Sequence, residues 1–79
     1  MVYPLDMSSK KNKNLKDLFS NNVRKFRHEL KISQEELAEI AEVHRTYIGS
    51  VERGERNITI NVMEKISNAL NKPIVDFFK

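Results

Sequence analysis

Residues 34–53 read QEELAEIAEVHRTYIGSVER, and this stretch decides the fold. Ser33, just ahead of it, can accept a hydrogen bond from the backbone N–H three residues on, while Glu36 can reach back to the Ser33 N–H, a reciprocal arrangement that starts a helix. Ile32 and Leu37 are spaced to close over that start. Leu37, Ile40 and Ala41 predict one buried face, and the helix is expected to end near Glu42. A second helix is expected from about Arg45, with Ile48 and Val51 inward and Gly54 as a left-handed cap. Ala38 sits where the second helix crosses the first, and Leu37, Ala41, Val43, Ile48 and Val51 converge on the inner corner. Two short helices joined by about three residues make a helix-turn-helix unit. Glu42 falls in the turn, where helix-turn-helix units often have a left-handed glycine, so a glutamate there is expected to cost some strain.

Upstream, Phe19, Val23, Phe26 and Leu30 fall on one helical face, predicting a helix from about Leu15 to Leu30 with Arg24, Lys25 and Glu29 on its wet side. Downstream, Thr59 is a plausible N-cap for a helix whose apolar stripe is Ile60, Met63, Ile66 and Leu70, with Asn71 suited to the left-handed position beyond it. Pro73 then opens a last short helical turn. Ile74 and Phe77 are expected in the core, and Val75 and Phe78 at an interface. No strand alternation appears. The fold expected is all-α, a compact bundle of five short helices containing the helix-turn-helix, over residues 15–79. Residues 1–14 lack an apolar period and read as a flexible basic tail: either a solvated terminus or an arm that touches phosphates or a minor groove.

A chain of 79 residues is one domain at most, and one this short buries only about 60% of the surface its unfolded form exposes. It has no cysteine, which excludes disulfides and thiolate metal sites, and His28 and His44 alone do not make a metal site. No cofactor, metal or small-molecule ligand is expected. Nothing approaches the roughly 20 apolar residues that cross a bilayer, and the N-terminus does not read as a signal peptide, so a cytoplasmic protein without a membrane partner is expected. No nucleophile–base–acid spacing or phosphate-cradling loop is present, which argues against an enzyme. The net charge of +3 is unevenly spread. Lys10, Lys11 and Lys13 against Asp6 supply most of it, leaving the rest of the chain near neutral. Distribution says more: Glu35, Glu36, Glu39 and Glu42 cluster on one segment and Arg45, Arg53 and Arg56 follow on the next, so one basic face is the footprint to look for.

The stretches ISQEELAE (32–39), HRTYIGSVERGERNIT (44–59) and ALNKPIVDFF (69–78) carry a more specific signal. With them, the chain from about Leu18 to Phe78 resembles the Cro/C1-type (Xre) helix-turn-helix family of phage repressors and bacterial regulators, whose domain is lambda-repressor-like. HRTYI followed by VERGERNIT most resembles the controller proteins of restriction–modification systems.

The resemblance implies a sequence-specific transcriptional regulator that binds double-stranded operator DNA as a homodimer. It places Arg45, Thr46 and Ser50 on the outer face of the recognition helix, where base edges are read, with His44 and Tyr47 flanking. A guanidinium suits that role, since it can donate two bonds to guanine O6 and N7. Gln34 matches a backbone-binding position at a helix N-terminus that favours anions in any case, and Tyr47, Arg56 and Asn57 are further phosphate candidates. Each has a plainer reading: a solvated surface residue for Arg45, Gln34 and Ser50, a helix cap for His44, and a ring that only covers the core for Tyr47. Arg53 reads equally as a solvated charge favoured by the helix dipole. The family pattern also pairs Arg27 with Glu52 in a partly buried ion pair, and associates through the C-terminal segment, here Val75 and Phe78. An antitoxin of the same fold, whose main partner is a protein, is the alternative function, distinguished by the neighbouring gene.

Overall fold

The computed structural model describes the backbone of residues 5–55 and 57–79 and the side chains of residues 15–55 and 57–79. Among them lie four α-helices, α1 (Leu5–Glu29), α2 (Gln34–Ala41), α3 (Arg45–Glu52) and α4 (Ile60–Ala69), and a 3₁₀ helix at Ile74–Phe78, with no strand. The fifth element is therefore a 3₁₀ turn. The backbone of α1 begins well before the expected start near Leu15, which rested on apolar period alone. From Leu5 the sequence holds no glycine or proline until Gly49, so nothing in it breaks a helix there.

All four α-helices end in the same way. A left-handed residue donates to the carbonyl three residues back, and the next N–H reaches the carbonyl five back, satisfying carbonyls a helix end leaves open. The pairs are Lys31 to His28 and Ile32 to Arg27 (3.0 and 3.3 Å), Glu42 to Glu39 and Val43 to Ala38 (3.2 and 3.0 Å), Gly54 to Val51 and Glu55 to Ser50 (both 3.0 Å), and Asn71 to Asn68 and Lys72 to Ser67 (3.1 and 3.0 Å). Glu42 does take the left-handed conformation, at φ 61°, and so does Lys31, at φ 58°.

The starts are capped by side chains. Ser33 Oγ accepts from the Glu36 N–H at 3.0 Å and Glu36 Oε1 accepts from the Ser33 N–H at 2.7 Å, completing the reciprocal cap. Thr59 Oγ1 accepts from the Val62 N–H at 3.2 Å.

The core draws Phe19, Val23 and Phe26 from α1, Leu37, Ala38 and Ala41 from α2, Ile48 and Val51 from α3, Ile66 and Leu70 from the end of α4, and Phe77. Phe77 sits between two rings of α1, with centroids 5.2 Å from Phe19 and 5.0 Å from Phe26, the latter edge-on. Asn22 Nδ2 donates to the Phe77 carbonyl at 2.8 Å and pins the 3₁₀ helix to α1. Four expected core residues are instead exposed: Leu30, Ile40, Ile60 and Ile74. Leu30 follows the end of α1, where the chain turns left-handed and leaves the stripe. Ile40 lies on the outer edge of a helix too short to bury more than Leu37, Ala38 and Ala41. Ile60 and Ile74 open their elements, and Phe77 takes the core place that Ile74 was expected to share.

Candidate nucleic-acid interface

The corner of α2 and α3 leaves the first turn of α3 exposed, and three groups of bonds hold the helix from behind. Glu52, at the end of α3, is only 3% exposed. Its Oε2 accepts from Arg27 Nε at 2.6 Å, and its Oε1 accepts from Arg27 Nη2 and Gln34 Nε2, each at 3.0 Å. Arg27 Nη1 also donates to the Ile32 carbonyl at 2.9 Å, so one guanidinium ties α1 to the loop before α2 and to α3. Ser20 Oγ donates to the Val51 carbonyl at 2.6 Å, and Arg24 Nη1 donates to the Glu52 carbonyl. Residues 20, 24 and 27 thus form a polar stripe beside the apolar face of α1 that clasps the C-terminal end of α3. Arg24 is exposed, as the wet-side expectation has it, yet its guanidinium reaches the end of α3, a contact the sequence reading does not give, and Ser20 is not singled out there. Their spacing, i, i+4 and i+7, was the available signal.

Arg45 and Thr46 are exposed on the first turn of α3. His44 is exposed too and caps the helix, its Nδ1 accepting from the Thr46 N–H at 3.0 Å. Tyr47 is half-buried and packs against the core. Ser50 corrects the expectation: it is buried rather than on the exposed outer face, because its short side chain turns back and its hydroxyl donates to the Tyr47 carbonyl at 2.9 Å. Gln34 is half-buried, with its amide drawn toward Glu52. Asn57 is exposed and lines a groove with Leu15, Lys16, Phe19, Ile58, Met63 and Phe78, at the C-terminal side of the domain. Arg56 lies outside the described residues. Val75 is 56% exposed, and Phe78 is half-buried with its ring 5.5 Å from Phe19.

Past the end of α3, Arg53 Nε donates to Glu55 Oε2 at 2.9 Å, both side chains being well exposed. That bond holds the Glu55 carboxyl below its ordinary range and the Arg53 guanidinium above its own.

A helix packed into the domain over its C-terminal half, braced from behind and exposing an arginine and a threonine at its N-terminal end, fits the docking of a recognition helix whose N-terminal residues meet base edges. Residues 23–77 match the helix-turn-helix family. The chain belongs to this family of DNA-binding transcriptional regulators. It is 48% identical over 60 residues to control protein C.SmaI of Serratia marcescens, a match covering 76% of this chain and 71% of that one. It is 44% identical over 68 residues to control protein C.BamHI of Bacillus amyloliquefaciens, covering 81% and 84%. Among solved structures it resembles the restriction–modification controller protein C.AhdI of Aeromonas hydrophila, with a TM-score of 0.76 at 33% identity, covering 85% of this chain and 98% of that one. No helix of the described residues is long and apolar enough to cross a membrane.

Proposed function

We propose that this protein is the controller of a restriction–modification system, a cytoplasmic transcriptional regulator that binds a near-palindromic operator as a homodimer. The observation that carries the reading is the exposed pair Arg45 and Thr46 on a helix braced by the buried Glu52 cluster. Arg45 reads a guanine edge, and Thr46 offers its hydroxyl to a phosphate or its methyl to a thymine. His44, at the helix start, lies within reach of the same bases while capping the helix. Gln34 spends one amide hydrogen on Glu52 and keeps the other for a phosphate. Tyr47 anchors its ring in the core and offers its hydroxyl to the backbone. Arg56 and Asn57 add phosphate contacts beyond the helix, and the lysines of residues 1–14 serve as a basic tail to the domain of residues 15–79.

Dimerisation is supported by the apolar groups left uncovered near the C-terminus, Val75, Ile74 and the outer side of Phe78, together with Ile60 at 78% exposure. Ile60 and Ile74 line one groove with Met63, and a contiguous apolar surface of this kind is where association faces lie. Two copies related by a two-fold axis place their recognition helices about one DNA turn, roughly 34–36 Å, apart. Footprinting on the DNA upstream of the protein's own gene tests the reading. Protection of a near-palindrome with that half-site spacing supports it, and folded protein that protects no sequence there overturns it.

A further inference from the structure

Arg53 occupies the C-cap of α3, and it has no capping work left to do. The last carbonyls of the helix are already met by Ser20 and Arg24, and Gly54 closes the chain in the left-handed region at φ 70°. Counting by helical turns, Arg45, Gly49 and Arg53 lie in one row, beside Thr46. The guanidinium of Arg53 folds back along that row. A Cβ added at Gly49 would stand 3.3 Å from Arg53 Nη1 and 3.6 Å from Gln34 Oε1. Gly49 is therefore the flat seat over which two polar side-chain ends converge. The backbone of Gly49 lies outside the positive-φ region, and a helix interior disfavours glycine, so among the described residues what its missing side chain provides is this seat. Arg53 is 58% exposed, and among the described residues its terminal amino groups have no partner, while its Nε is held by Glu55, itself 57% exposed.

We infer that Arg53 is a DNA-phosphate contact of the recognition helix and that Glu55 restrains it, so that this ion pair sets how strongly the far end of α3 grips the backbone. The inference rests on the reading of α3 as the DNA-facing helix. A phosphate is the partner because Arg53 lies eight residues, about 12 Å, along the helix from Arg45, while the N-terminal residues of such a helix meet the bases. A guanidinium fits phosphate with paired donors. Glu55 opposes the contact twice, by holding the guanidinium and by placing a negative charge beside the DNA backbone.

The test is a double-mutant cycle on the intact protein, using a duplex that spans the footprinted upstream DNA and a random duplex of equal length. Arg53→Gln should weaken both duplexes by similar factors and make the slope of log K against log salt shallower by about 0.9 per protomer. Glu55→Gln should tighten binding about two- to five-fold in the presence of Arg53 and less than about 1.5-fold in the Arg53→Gln background, the coupling being that of an exposed pair. Equal melting temperatures for all four proteins support a direct role. An Arg53→Gln protein that binds both duplexes normally overturns the inference. An equal Glu55→Gln gain in both backgrounds, which is loss of a charge without a held arginine, overturns the restraint by Glu55 but not the phosphate contact of Arg53. Arg45→Ala, run alongside, separates the two levels. If it loses selectivity while the cycle shows no coupling, only the restraint fails. If it keeps selectivity, the reading of α3 fails and the inference with it.

Discussion

Replacing Glu52 by leucine removes a carboxylate that is 3% exposed and accepts from both Arg27 and Gln34. The arginine is then left without its counter-charge in a site it shares with the core. Breaking a buried pair by deleting one partner costs about 3–5 kcal/mol. A chain of 79 residues has about 4–12 kcal/mol of stability in total, so this single change should consume about a quarter or more of it. Glu52→Gln keeps an acceptor oxygen and the shape, and should cost about 1.5–3 kcal/mol, the range for a hydrogen bond to a charged group. The double change Arg27→Met with Glu52→Leu removes both charges. It should be more stable than Glu52→Leu alone, because no unpaired charge remains and the half-buried Gln34 can turn to water. Urea unfolding followed by far-UV circular dichroism, at one fixed protein concentration because dimer formation adds to stability, measures the parent, these three variants and the Arg27→Met single change that completes the cycle. A coupling of at least about 2 kcal/mol between the two positions is expected. If the double mutant loses the sum of the single losses within about 0.5 kcal/mol, the two residues act independently and the bracing of α3 from α1 is wrong.

Glu42→Gly should raise stability by about 0.5–1 kcal/mol, the left-handed penalty of a residue with a Cβ less the chain entropy glycine adds; a urea midpoint that falls would contradict this. Phe77→Ala should cost about 3–5 kcal/mol, since its ring fills the space between Phe19 and Phe26, and a loss below about 1.5 kcal/mol in the same assay would mean the 3₁₀ helix is dispensable to the core. Val75→Asp should shift sedimentation toward monomer while leaving the far-UV spectrum unchanged, and an unaltered sedimentation coefficient would place the dimer contact elsewhere.

Much of this architecture was legible because the signals were local. Ser33 with Glu36, Thr59, Gly54 and Asn71 mark helix ends through side chains or backbone freedoms that act within a few residues, and the structure uses each of them. Lys31 was not legible, since nothing about a lysine announces a left-handed cap. Ile40 and Ile60 were assigned to buried faces because periodicity gives the direction of a stripe and not its width, which depends on what packs against it. Ser20 and Asn22 escaped notice for a related reason. A polar residue next to an apolar stripe reads as solvated until the neighbouring helix end that it caps, Val51 or Phe77, is in place. On the candidate site, exposure of Arg45 and Thr46 followed from the inward pairing of Ile48 with Val51. The burial of Ser50 depends on how far a short side chain folds back to its own helix.

The most direct test of the central claim compares Arg45→Ala with Gln34→Ala on two duplexes, the upstream operator and a random sequence of the same length. Arg45 meets bases in this account, so its loss should remove about 1–3 kcal/mol of discrimination per contact. A homodimer doubles that, with much of the weak affinity for random DNA retained. Gln34 meets a phosphate, so its loss should weaken both duplexes by similar factors. Arg45→Ala should melt near the parent temperature because Arg45 is exposed, while Gln34→Ala should stay folded but melt lower, since it loses one bond to the buried Glu52 and Arg27 keeps the rest. If Arg45→Ala leaves the ratio of operator to random affinity unchanged, α3 does not read the sequence and the mechanism is wrong.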